Sequence, residues 1–415
     1  MDRQTGGAAG PAELLRLKSQ YLIPCVYHFY KEPPEIVGSE GSYLIDHLGR
    51  RYLDFYSGVT VMSAGHCNPE IIEPAIEQIR RLQHTTSIYL TEPVLRLAEM
   101  LAQLAPGDLS RSFFCASGSE AVEGALLAAS LHTRRAGIVA TTDSLHGRTR
   151  WAMNATGLAT WRTDPFPLAD VHRVPFGDAA ALRRHFETTR SLPAAFIAEP
   201  IEGNGGIIIP PPDYWPTVRG LCDRFGVLLV LDEVQTGINR TGLWFACEHW
   251  GVVPDILVTS KALGNGFPIS AFITTPTIAA SYTRPGASTY GGNPVSAAAA
   301  LATLRFHQAN ELGPRAQRLG KLLKNEIATA VANSTRFRPP HGMGLMIGLF
   351  THDGTGNADA TLCDLLLENL KDNGVLVGKT GPGRSTVTFM PPLTVSEQEV
   401  AEFAAAFRRS LEAIR

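Results

Sequence analysis

Residues 227–261 read VLLVLDEVQTGINRTGLWFACEHWGVVPDILVTSK, with two apolar runs that end on the polar pair Asp232–Glu233 and on Lys261. Strands covered by helices on both faces carry such runs, whereas a half-exposed strand alternates apolar and polar residues. Outward from this stretch, FFCA (113–116), IVATT (138–142) and AAFIA (194–198) have the same character. After FFCA, Val122, Ala125, Leu126 and Ala129 fall at i, i+3, i+4 and i+7, one stripe of a helix over Ser119–Thr133. The pattern predicts an α/β fold built on a large, mostly parallel sheet.

The flanks differ. Residues 35–55 predict short strands about a glycine-containing turn, and beyond Gly313 the order reads helix, strand, strand, helix. GLMIGLF (344–350), GVLVG (374–378) and TVTFM (386–390) are the strand segments, and Ser396–Ile414 is the last helix, set off by Pro391 and Pro392. Both chain ends are therefore expected in a smaller α+β domain. Residues 1–55 form its first segment, 56–311 the large domain and 312–415 the remainder of the small one.

At 415 residues, 44% hydrophobic and 18% charged, the chain can bury a large core, which excludes disorder as its main state. The 37 basic and 39 acidic residues leave a net charge of -2, too little basic field to gather nucleic acid or anionic lipid. Small-molecule partners are expected. Six cysteines, Cys25, Cys67, Cys115, Cys222, Cys247 and Cys363, stand singly without a CxxC pair, so no metal site is expected and the thiols suit a reducing cytoplasm. The start, MDRQTGGAAGPAELLRLKSQ, has no apolar leader, and no later run approaches the ~20 residues needed to cross a bilayer. The expectation is a soluble, cytoplasmic protein.

Ligands in open α/β sheets bind beyond the carboxyl ends of the strands. Five groups share that edge: Ser117-Gly118-Ser119 after FFCA, Leu145-His146-Gly147-Arg148 shortly after IVATT, Glu199, Asp232 and Lys261. Ser117–Ser119 sits where a strand turns into a helix, as an anion cradle or a simple helix cap. Asp232 follows five apolar residues, so its carboxylate needs a cation or strong donor; a structural ion pair or a Walker B acid would also explain it. Lys261 is one of seven lysines against thirty arginines and has no charged near neighbour, conditions that lower an amine's pKa and make it nucleophilic. Glu199 is equally compatible with a structural role, and His146 reads as a positioned core histidine rather than an acid–base group. Taken together the groups describe pyridoxal phosphate: phosphate at Ser117–Ser119, ring nitrogen on Asp232, aldehyde carbon on Lys261.

The chain resembles the class III, fold-type I pyridoxal-phosphate aminotransferases from about Tyr43 to Leu411. GHCNPE (65–70), FFCASGSEAVEGALLAA, HGRT (146–149), AEPIEGNGG (198–206), LDEVQTGINRTG (231–242), SKALGNGFP and STYGGNP (288–294) carry the resemblance. Within the class, ITTPTIAAS, GMGLMIGLF and GVLVG are most similar to the alanine–glyoxylate aminotransferase 2 group. The resemblance implies that Gly118 and Ser119 hold the phosphate, Asp232 the pyridinium, and Lys261 the aldehyde as an imine. It further implies that Val234 packs on the ring, Gln235 reaches the phenolic oxygen, and Thr289 crosses to the phosphate of the neighbouring subunit, in a homodimer with shared active sites. The implied reaction moves an amino group from an amine or amino acid to a 2-oxo acid such as pyruvate, glyoxylate or 2-oxoglutarate.

Three positions depart from the family pattern. Leu145 stands where an aromatic residue usually stacks on the ring, Thr388 where an arginine usually binds the substrate carboxylate, and Asn204 where several relatives carry the glutamate that neutralises that arginine. Threonine cannot form arginine's bidentate pair. Arg384, in the Gly381-Pro382-Gly383 loop, could take over as a mobile loop arginine does in ω-amine:pyruvate relatives, or the substrate lacks that carboxylate. Arg148 matches the arginine that binds a distal carboxylate in 4-aminobutyrate and ornithine relatives, and Val59 suggests an apolar wall. Decarboxylase, lyase or racemase chemistry on the same scaffold is the alternative, because substrate orientation selects the bond that breaks. A nucleotide phosphohydrolase is the remote one: GVLVGKT (374–380) misses the P-loop spacing by one residue.

Overall fold

The computed structural model describes residues 10–168 and 170–414. Residues 1–9, within the stretch expected from its sequence to lack an apolar leader, lie outside the described residues.

A seven-stranded sheet forms the centre, in the order Arg111–Cys115, Ser270–Thr274, Ile256–Thr259, Leu228–Asp232, Ala195–Ala198, Ile138–Thr141, Val171–Val174. The last five strands run parallel, and Ser270–Thr274 is antiparallel to both of its neighbours. Every residue of Ile138–Thr141, Ala195–Ala198 and Ile256–Thr259 is buried, as uninterrupted apolar runs require. Gly118–Thr133 forms the expected helix, and Val122, Ala125, Leu126 and Ala129 are fully buried against one face of the sheet. The opposite face is covered by Tyr214–Phe225 and Pro294–Ala309.

The chain ends share a second core. Tyr30, Tyr52, Leu53 and Phe55 pack with the helices Leu312–Val331, Ala360–Asp372 and Glu397–Glu412. Phe55 stacks on Phe403 at 4.5 Å between ring centroids. Ser396 starts the last helix with a capping box to Glu399.

The C-terminal segment departs from the expected order at two places. The single strand read over 374–378 divides: Val375–Leu376 pairs parallel to Arg51–Asp54 from the N-terminal sheet, whereas Gly378–Thr380 pairs antiparallel to Thr386–Phe389. Apolar character alone cannot reveal a strand that changes sheets. The helix Ala360–Asp372 is absent from the expected order, although Asp359 caps it by accepting from the Leu362 N–H.

Candidate active site

Ser117, two residues beyond the strand Arg111–Cys115, caps the helix Gly118–Thr133 in extended backbone (φ −143°, ψ 154°), and its Oγ accepts from the Glu120 N–H at 3.3 Å. The first-turn N–H groups of Gly118–Thr133 have no partner within their helix, so the terminus is prepared for an anion. Neighbouring elements pack tightly on it. A Cβ on Gly118 would lie 3.3 Å from Val234 Cγ1, and one on Gly147 would lie 2.4 Å from Ser119 Oγ. Ser119 Oγ also accepts from the Arg148 N–H at 3.1 Å, which fixes the 146–149 loop against the helix start.

That loop delivers His146 to the sheet edge. Its Nδ1 lies 2.7 Å from Asp232 Oδ2, and both side chains are buried. Asp232 Oδ1 accepts from the Val234 N–H at 3.1 Å. Glu199 is buried nearby and accepts from the N–H groups of Leu145 (2.9 Å) and Gly203 (3.0 Å). Burial, then the charge of Asp232, raises the Glu199 carboxyl to about 7, against the opposing pull of His146 and the two amides.

Lys261 follows Ile256–Thr259 and Ser260 and adopts φ 44° at the start of a short turn, Lys261–Leu263. Packing lowers its ammonium below the usual range, while the carboxylates of Glu199 and Asp232 act in the opposite direction. Gln235 is buried with Oε1 unpartnered, and a Cβ on Gly203 would come within 1.7 Å of that oxygen.

The remaining candidates spread around this centre. Arg148 is exposed, Leu145 and Val234 are half-buried, and Val59 is half-buried on a turn beside Lys261–Leu263. Arg384 is exposed, with its guanidinium carbon 5.9 Å from the Tyr27 ring centroid. Thr388 is buried with Oγ1 unpartnered; Gly378, without a Cβ, lets the Tyr56 ring close over it. Asn204 contributes its backbone: its carbonyl accepts from the Gly381 N–H (3.0 Å) and Thr380 Oγ1 (2.7 Å), tethering the loop that carries Arg384. Thr289 is exposed and not surrounded by its own chain.

Several supporting residues escaped the sequence reading. Glu123 accepts from Thr149 Oγ1 at 2.6 Å and from the N–H groups of Trp151 and Ala152, so it caps the short helix after the HGRT loop. Arg240 is fully buried and donates to the carbonyls of Leu345 (3.0 Å) and Pro391 (2.6 Å), tying the two cores together. Burial lowers its guanidinium to about 9, with Asp54 opposing.

A seven-stranded, mostly parallel sheet with an anion-ready helix start, a buried carboxylate–imidazole pair and a lysine on one edge defines a fold-type I pyridoxal-phosphate enzyme. The chain matches the family "Aminotransferase class-III" over residues 31–411 and belongs to it. It is 36% identical over 403 residues to alanine–glyoxylate aminotransferase 2 homolog 2, mitochondrial, of Arabidopsis thaliana, covering 93% of this chain and 84% of the relative. It is 39% identical over 389 residues to acetylornithine aminotransferase of Mycobacterium tuberculosis, with 92% and 93% covered. The ornithine aminotransferase structure from Toxoplasma gondii superposes with a TM-score of 0.90 at 27% identity, covering 98% of this chain and 96% of that one. The protein is thus a pyridoxal-phosphate-dependent aminotransferase, with the class III fold expected from its sequence.

The residues present fit that cofactor. A phosphorylated pyridine aldehyde needs an anion site, a carboxylate for its ring nitrogen, a donor or acceptor for its phenolic oxygen and an amine, and the buried orphan Gln235 Oε1 stands among just such groups. Among the described residues no helix is long and apolar enough to cross a membrane, and no group of His, Cys, Asp and Glu is arranged to hold a metal ion.

Proposed function

We propose that Lys261 is the reacting lysine of an aminotransferase that takes an amine or amino acid as donor and a 2-oxo acid such as pyruvate, glyoxylate or 2-oxoglutarate as acceptor. The observation that carries this reading is the convergence of the Ser117–Ser119 helix start, the His146–Asp232 pair and Lys261 on one sheet edge. In it Ser117, Gly118 and Ser119 hold the phosphate, Asp232 holds the ring nitrogen in its protonated form, and Gln235 meets the phenolic oxygen. Leu145 and Val234 supply apolar contact to the ring faces, and Glu199 fixes the Leu145 and Gly203 backbone around it. The bound cofactor supplies the electron sink that makes the substrate Cα–H acidic.

The chain's own groups do the rest. His146 orients Asp232 through the 2.7 Å contact of its Nδ1 with Oδ2. Lys261 Nζ, lowered by packing, has a larger neutral fraction than an exposed lysine and so accepts the Cα proton and returns it. Arg384, on its glycine-bounded loop, meets the carboxylate of the 2-oxo acid, because Thr388 lies buried under Tyr56. Arg148, exposed at the phosphate-side loop, is placed for a distal carboxylate, and Val59 forms an apolar wall.

A homodimer with shared active sites belongs to the same proposal. Ile88, Tyr89 and Leu90 are 82%, 67% and 88% exposed, and Tyr290, next to Thr289, is 65% exposed. His84 and Tyr290 lie 5.4 Å apart, so the two segments form one surface. An apolar face of this kind beside Thr289 supports a second copy seated there, with Thr289 reaching its partner's phosphate. Light scattering of the purified chain tests this. The division at 55/56 and 311/312 and a cytoplasmic location are proposed with it, the latter supported by six free cysteines and testable by fractionation.

The reaction itself is tested by adding donors singly to the cofactor-loaded enzyme and following visible absorbance. Conversion of the aldehyde band to the amine form by one donor, and its recovery with a 2-oxo acid, is the expected result; a band that no amine or amino acid shifts contradicts the reading.

A further inference from the structure

His307 lies on the helix Pro294–Ala309, which packs on the lysine turn Lys261–Leu263, and its ring is buried. Nδ1 is 3.1 Å from Asn239 Oδ1, Nε2 is 3.0 Å from Ser63 Oγ, and the ring stacks on Trp244 at 6.3 Å between centroids. Burial, then the charge of Arg240, pushes the imidazole down to about 3, so it is neutral and has a single N–H. The Asn239 amide oxygen can only accept, which places that hydrogen on Nδ1 and makes Nε2 the acceptor of the Ser63 hydroxyl.

Both partners belong to segments that frame the lysine turn. Asn239 sits at φ 66° in the loop that leaves Asp232 and carries Gln235, closed where the N–H groups of Ile238 (2.7 Å) and Asn239 (3.3 Å) donate to the Trp244 carbonyl. Ser63 follows the turn Ser57–Thr60, whose φ values of 53°, 59°, 64° and 63° form a left-handed run that residues with a Cβ disfavour. Hydrogen bonds enforce it. Asp54 Oδ1 accepts from the N–H groups of Tyr56 (3.0 Å) and Ser57 (2.7 Å), and the Ser57 carbonyl accepts from those of Val61 (2.8 Å) and Met62 (3.0 Å). Just beyond Ser63, Asn265 Oδ1 accepts from the Ala64 N–H at 2.9 Å and its Nδ2 donates to the Gly65 carbonyl at 3.1 Å.

Ser63 is buried, and its Oγ is also 3.5 Å from the Ala262 carbonyl, the oxygen that accepts from the Asn265 N–H at 3.4 Å to close the turn begun by Lys261. One hydroxyl hydrogen cannot serve both acceptors, and the 3.0 Å contact with Nε2 is the better one. We infer that His307 is a positioning residue for Lys261: it keeps the Ser63 hydroxyl on its own Nε2 and leaves the Ala262 carbonyl to close the lysine turn. This rests on the reading that Lys261 is the reacting lysine. Without the imidazole, the buried hydroxyl has its remaining acceptor in the Ala262 carbonyl and draws the turn with it.

The experiment compares His307→Leu, His307→Gln, His307→Asn and the double variant His307→Leu/Ser63→Ala with the parent holoenzyme, measuring Tm, kcat and KM for one amine and one 2-oxo acid, and the pH at which the visible cofactor band changes. In His307→Leu, kcat should fall about tenfold as the lysine turn moves, with both KM values within about twofold of the parent, and the band should change at a different pH. His307→Gln, whose amide reaches the place of Nε2, should keep most of kcat and the parent band, whereas His307→Asn, which reaches only the place of Nδ1, should behave as His307→Leu. Adding Ser63→Ala to His307→Leu should recover kcat and the band without recovering Tm. Parent values of kcat and band in His307→Leu, with only Tm lowered, overturn the positioning role, and a double variant no better than His307→Leu overturns the hydroxyl route. Should His307→Leu fail to fold, the Gln and Asn variants decide: rescue by Asn rather than Gln overturns the inference. A parent enzyme that forms no visible band would instead remove the Lys261 reading, while a higher Tm for His307→Gln than for His307→Leu would still report the Ser63 contact.

Discussion

His146 Nδ1 sits 2.7 Å from Asp232 Oδ2 with neither side chain open to solvent, so the carboxylate that faces the cofactor site is held by an imidazole rather than by a lysine or arginine. An imidazole orients the acid without a permanent full charge, which leaves Asp232 available to a protonated ring nitrogen. Asp232→Asn retains the shape and loses the charge. Its kcat should fall by ~10²-fold or more, in the range seen when a preorganised electrostatic partner is removed. His146→Ala should cost stability of about 1–3 kcal/mol, because it leaves a buried acceptor unpartnered. Steady-state kinetics and thermal melts of the two variants check this; an Asp232→Asn enzyme as active as the parent would refute the assignment.

Glu202 gives a pH-dependent expectation. It is fully buried with both carboxyl oxygens unpartnered, and burial raises it to about 9, with the nearby Thr141 hydroxyl offsetting part of the rise and Glu199 and Asp143 adding to it. A carboxyl whose folded pKa is raised contributes stability that is fully present below its unfolded pKa of about 4.5 and is lost progressively as pH climbs from there to about 9. Glu202→Gln removes the ionisation. The variant's Tm should therefore match the parent near pH 4 and gain on it steadily between about pH 5 and 9. Parallel Tm curves for the two proteins over that range would show that Glu202 does not keep its proton.

Arg384 is exposed beside Tyr27, at a distance where a cation and a ring attract by only ~0.5–1 kcal/mol, so its resting contact is weak enough to exchange for a carboxylate. Arg384→Ala should raise the KM for a 2-oxo acid by ~10-fold, the loss of one charge-assisted hydrogen-bonded pair, while the KM for a neutral amine donor changes little. An equal change in both values would remove Arg384 from acceptor recognition.

The fold was legible where burial on both faces leaves a one-dimensional trace. The apolar runs ending at Asp232 and Lys261, and the helical stripe Val122–Ala129, needed no partner to be recognised. Ser270–Thr274 hides because SAFIT resembles any short apolar segment, and its antiparallel direction is set by the neighbours on either side. The break at Val377, between pairings with two different sheets, is likewise a tertiary decision. At the site, motif residues at strand ends were readable, whereas Glu123, Arg240 and Asn265 act through backbone groups distant in sequence and leave no spacing to detect. The left-handed turn at Ser57–Thr60 was illegible for a sharper reason: its residue types argue against the conformation that its hydrogen bonds enforce.

The most direct measurement is borohydride reduction of the yellow enzyme followed by peptide mapping. The reduced pyridoxyl group is expected on Nζ of Lys261 and on none of the other six lysines. Label on a different lysine, or no covalent label in cofactor-saturated protein, would contradict it.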